Sequence, residues 1–115
     1  RGDETLLARA DTIAESASRG SVTGPGVYDV RVESRSYRNI RERFRGGELA
    51  EVGLRGDGDT DLDLFVYDGN GSEICRSTTY SDREFCRWTP AWTGNFTIRV
   101  ENYGGVYNRA EVYVY

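Results

Sequence analysis

Phe96-Thr97-Ile98-Arg99-Val100-Glu101 alternates apolar and polar residues one for one, and Val106-Tyr107-Asn108-Arg109-Ala110-Glu111-Val112-Tyr113-Val114-Tyr115 repeats much the same pattern. Side chains of an extended chain leave on alternate faces, so a period of two marks strands with one face buried and the other wet. Working outward from this pair, shorter runs of the same kind occur near residues 27–33, 38–44, 49–55, 61–67, 72–78 and 84–88. Gly46-Gly47, Gly56-Asp57-Gly58, Gly69-Asn70-Gly71 and Gly104-Gly105 fall between several of them, where glycine lets the chain turn. Short strands at this spacing predict an all-β fold, an antiparallel β-sandwich or jelly roll of about eight strands, rather than βαβ units. Glu42 sits awkwardly in this scheme, on the same face as Ile40 and Phe44. It predicts either an edge strand with an irregular pleat or a buried partner for the carboxylate.

Ahead of the strands the period is that of a helix. Leu6, Leu7, Ala10, Ile13, Ala14 and Ala17 recur at spacings of three and four, with Asp3 as the candidate N-cap and Gly20 as the stop. The reading is one N-terminal amphipathic helix over residues 1–20, a turn-rich linker over 21–26 and a sandwich over 27–115. At 115 residues the chain has enough surface to bury for one core. No apolar run approaches 18 residues, so no helical membrane span is expected.

Composition removes several kinds of chemistry. The chain has no histidine and two cysteines, which excludes Ser-His and Cys-His nucleophile pairs, histidine bases and the usual zinc ligand sets. We expect no enzyme activity. The net charge of −4 argues against nucleic acid, whose phosphates need a basic footprint. The charge is uneven, however. Residues 27–47 carry six arginines against Asp29, Glu33 and Glu42, whereas residues 48–73 carry eight acids against Arg55. The simplest reading of Arg31, Arg35, Arg38, Arg41, Arg43 and Arg45 is a solvated face paired with local acids; the other is a site for an acidic partner.

Cys75 and Cys86 stand at opposite ends of a stretch long enough for two short strands and a loop. A hairpin can bring such a pair to bonding distance across its ladder, which predicts a disulfide and hence an exported protein. The alternative is a pair of buried free thiols. Asp57, Asp59, Asp61 and Asp63 alternate through Gly58, Thr60 and Leu62. With Asp68 they match the ligand spacing of an EF-hand loop, but Leu62 stands where that loop needs glycine and the flanks read as strands. What remains is either a solvated acidic turn or an oxygen-rich loop suited to a hard cation. Trp88, Trp92, Tyr80 and Tyr103 sit in or near loops, where such rings either close the end of a sandwich or bind sugar or peptide.

From about Arg45 to Tyr115 the chain resembles the bacterial pre-peptidase C-terminal domain. The residues that carry the resemblance are Gly56 to Asp68, with Asp57, Asp59, Asp61, Asp63, Phe65 and Tyr67; Thr89 to Val100, with Pro90, Trp92 and Gly94; and Asn102-Tyr103-Gly104. The resemblance implies a noncatalytic β-sandwich appended to exported proteins, some relatives of which bind calcium or an insoluble polymer. It raises calcium as a cofactor, with Asp57, Asp59, Asp61 and Asp63 as candidate ligands. The expected function is a secreted or periplasmic bacterial module that binds a protein or an extracellular polymer, or assists export or maturation of a partner. A competing reading is a periplasmic inhibitor or immunity-type protein that blocks a partner enzyme.

Overall fold

The computed structural model describes residues 20–22, 24–58 and 60–115. The predicted helix and Asp59 therefore lie outside the described residues. Eight strands follow in order: β1 (Gly26–Val32), β2 (Ser36–Phe44), β3 (Ala50–Arg55), β4 (Leu62–Tyr67), β5 (Glu73–Ser77), β6 (Arg83–Trp88), β7 (Gly94–Asn102) and β8 (Asn108–Val114). All are at or within a few residues of the positions that the alternation predicts.

They form two four-stranded antiparallel sheets, in the orders β1-β8-β3-β6 and β2-β7-β4-β5. Successive strands switch sheets, as in a jelly roll, except for the β4–β5 hairpin. The inward residues of both sheets meet in one core. Val32, Val52, Leu54, Leu62, Leu64, Val66, Ile98, Val100, Val112 and Val114 are fully buried. Phe44, Trp88 and Phe96 pack edge-on or tilted, with ring centroids 4.9–5.7 Å apart, at one side of that core.

Of the two alternatives for Glu42, the buried partner is the one found, and the register of β2 against β7 is unbroken. Glu42 lies on an edge strand, and it is buried with partners: Ser21 Oγ donates to it at 2.5 Å and the Tyr28 hydroxyl at 2.6 Å. The carboxylate thereby ties β1 and β2 to the residues that precede them. Ser21 also pairs with Phe44, so residues 20–22 run beside the end of β2.

The cysteines are bonded, but not across a hairpin. Cys75 on β5 and Cys86 on β6 belong to different sheets, with their Cα atoms 6.0 Å apart. Because β5 and β6 are the edge strands on one side of the sandwich, the bridge staples the two layers together. The hairpin expectation fails because β5–β6 is a crossover between sheets.

Candidate metal centre

The loop between β3 and β4 is held by buried polar side chains. Asn108, fully buried at the start of β8, accepts the Asp57 N–H at 2.9 Å and donates to Thr60 Oγ1 at 2.9 Å. Asp82, before β6, takes the Gly58 N–H at 2.5 Å, while its carbonyl takes the Gly56 N–H at 2.8 Å. A Cβ on Gly56 would crowd Asp82 Oδ2 and meet Asn108 Oδ1 at 2.8 Å, so a side chain there would push apart the two groups that form the clamp. This clamp divides the acidic run. Asp57 is exposed and turns toward β8, where its Oδ2 accepts the Arg109 N–H at 3.0 Å.

Asp61 and Asp63 go elsewhere. They converge with Glu84 of β6, and one carboxylate oxygen from each lies within 4.8 Å of the others. Glu84 is buried and oriented by Ser77 Oγ at 2.5 Å, Thr79 Oγ1 at 2.6 Å and the Thr79 N–H at 3.2 Å. Asp61 Oδ1 is buried with no hydrogen-bond partner. Glu101 is directly opposite Asp63 on β7 and takes a hydrogen bond from the Tyr103 hydroxyl. Like charges facing each other across a ladder repel. Burial first, then the charges of Asp61, Glu84 and Glu101, push the Asp63 carboxyl up to about 6.

A hard divalent cation suits this donor set. Calcium takes oxygen ligands at about 2.3–2.6 Å, so two ligands of one ion lie no more than about 5 Å apart. The three carboxylates meet that limit, and the orphaned Asp61 oxygen is the kind of acceptor that a cation satisfies. Of the four aspartates singled out by sequence, Asp61 and Asp63 are brought together, Asp57 is not, and Asp59 is outside the described residues. The sequence reading missed Glu84 and Glu101. Glu84 carried a visible signal, because it alternates with Cys86 and Trp88 on the core face of β6. Asp68, the last position of the EF-hand spacing, is used as a turn clamp: its Oδ1 accepts the N–H groups of Asn70 and Ser72 at 2.8 and 2.9 Å.

No protein-family model matches the chain, and no curated protein matches it in sequence. Solved structures do match. The pre-peptidase C-terminal domain of a Bacillus anthracis collagenase superposes with a TM-score of 0.65 at 6% identity, covering 78% of this chain and 88% of that one. The fold is that of a pre-peptidase C-terminal domain. The same architecture occurs in a mitogen from Yersinia pseudotuberculosis, with a TM-score of 0.59, 11% identity, and coverage of 79% and 84%. It also occurs in an Aeromonas hydrophila periplasmic inhibitor of g-type lysozyme, with a TM-score of 0.58, 10% identity, and coverage of 83% and 85%. At these identities the shared property is the fold.

The aromatic residues predicted for binding separate in this fold. Trp88 packs on Phe44 and Phe96 and serves the core. Trp92 is half exposed and borders a cleft of about 190 Å3 with Trp88, Pro90 and Ile74. Tyr80 is 99% exposed, and Tyr103 stands beside the acidic cluster. The structure does not gather the four into one surface.

Proposed function

We propose that this chain is an exported, noncatalytic binding module that takes calcium at Asp61, Asp63 and Glu84. The observation that carries the reading is the convergence of these three carboxylates from a loop, β4 and β6, with one buried oxygen lacking a hydrogen-bond partner. The metal's contribution is to neutralise the repulsion and fix the loop to the β6 edge; the residues around it bind and orient. Export is supported by the Cys75–Cys86 bridge. The noncatalytic reading is supported by the absence of histidine and of any free cysteine.

Calcium that binds only the folded state stabilises it by about 2.7 kcal/mol at roughly one hundred times its dissociation constant. Melting should therefore shift upward with millimolar calcium and much less with magnesium, whose octahedron is stricter. The response should disappear in Asp61→Asn plus Asp63→Asn and survive in Asp57→Asn. An unchanged melting curve together with no heat of binding in calorimetry would end the metal reading.

A further inference from the structure

We propose that the outer edge of β2 from Tyr37 to Arg41, to which no strand is paired among the described residues, accepts an extended acidic peptide segment of a partner protein as an added strand. This rests on the chain's being a binding module but not on its cation.

Arg31 is paired with Glu33 and lies over the Tyr107 ring. Arg38 donates to the Arg31 carbonyl, and Arg45 donates to the carbonyls of Ser21 and Val22. Arg41 and Arg43 are exposed and have no carboxylate partner among the described residues. They alternate along β2, so both side chains stand on the outer face of the sheet. The other cations on that face are already matched: Arg99 lies 3.6 Å from Glu101, and Arg76 lies 2.7 Å from Glu73.

The backbone of the same strand supplies the second half of the site. Among the described residues β2 is an outer strand, with β7 its one neighbour within the sheet. At its end the Arg43 carbonyl accepts the Val22 N–H at 2.8 Å, and the Arg45 N–H donates to the Gly20 carbonyl at 2.6 Å. Odd-numbered residues of β2 therefore direct their backbone groups away from β7. By the two-residue alternation, Arg41, Asn39 and Tyr37 present N–H and C=O groups to an edge that residues 20–22 begin to cover and then leave. An incoming strand would continue that ladder. A carboxylate opposite Arg41 would also reach Arg43 diagonally. A second copy of this chain fits poorly, because it would bring arginine-bearing edges together; charged edges resist such self-pairing.

The test uses the full chain and a synthetic peptide of alternating Glu and Val, with controls in which Gln replaces Glu or the glutamates are contiguous. Hydrogen exchange should slow at the Arg41 and Asn39 amides with the alternating peptide alone. Arg41→Ala plus Arg43→Ala should weaken binding about tenfold, in keeping with two exposed pairs. Asn39→Pro removes an outward N–H while keeping both arginines, at an edge position that tolerates proline, and should abolish amide protection. If that variant fails to fold, Arg41→Glu plus Arg43→Glu decides: it should reject the glutamate peptide and bind an Arg–Val peptide. Overturning results are no amide protection in the wild type, undiminished peptide binding by folded Asn39→Pro, or no reversal of preference in the glutamate variant. Binding of polygalacturonate in place of the peptide would likewise overturn it, marking the patch as a site for acidic sugar. The calcium response of melting is read separately, so failure here leaves the cation reading to its own test.

Discussion

Glu42 concentrates the cost of a polar core position into one residue. The residue is 6% exposed and takes hydroxyl hydrogen bonds from the buried Ser21 and the partly exposed Tyr28, so truncation would leave the Ser21 hydroxyl a stranded donor. Leaving a buried donor unsatisfied costs about 1–3 kcal/mol. Glu42→Ala should lower the free energy of chemical unfolding by an amount in that range; an unchanged denaturation midpoint would show that the clasp contributes nothing. The Tyr28 hydroxyl reports on the same contact, since its hydrogen bond to Glu42, then burial and the carboxylate's charge, raise its pKa. Glu42 and Glu84 teach the same lesson about legibility. Each is an acid at a core-facing position of an alternating strand, which the sequence displays. What each acid bonds to depends on residues from other strands and loops, which the sequence does not align.

At the scale of elements, the eight strands were legible because alternation reports directly which face each one buries. Sheet membership was not, because a period of two says nothing about lateral neighbours. That is why Cys75 and Cys86 read as a hairpin pair although they join two sheets. The acidic run was likewise split by a clamp whose parts, Asn108 and Asp82, are distant in sequence from Gly56 and Asp57. β5 has only five residues, mostly exposed, and lies at a sheet edge. Closing a loop of this length is worth about 3 kcal/mol in the chain-entropy view. Cys75→Ser plus Cys86→Ser should therefore cost about 3 kcal/mol, measured by denaturant titration. Amide exchange should quicken most in β5 and β6 and least in β7. Uniform quickening would mean that the staple acts on the whole domain rather than on its open side.

Over the whole molecule, charge that is separated along the chain becomes separated in space: the arginines of β2 line one sheet edge, while Asp61, Asp63, Glu84 and Glu101 gather where β4, β6 and β7 approach one another. The second arrangement makes stability depend on pH in an unusual direction. A carboxyl raised to about 6 in the folded protein, from 3.8, binds its proton more tightly folded than unfolded. Between those two values the folded state holds more protons, so protonation favours folding and stability rises as pH falls. With calcium chelated, the melting temperature should therefore increase on acidification from pH 7 to about pH 5, a window above the usual carboxylate range. Asp63→Asn should flatten that trend while raising stability at pH 7, because the amide carries no charge to repel Asp61, Glu84 and Glu101. Saturating calcium should flatten it too, by holding Asp63 ionised at both pH values. A metal-free melting temperature that falls steadily from pH 7 to pH 5 would show that the four carboxylates are solvated well enough not to strain the fold, and would remove the electrostatic reason for a cation between them.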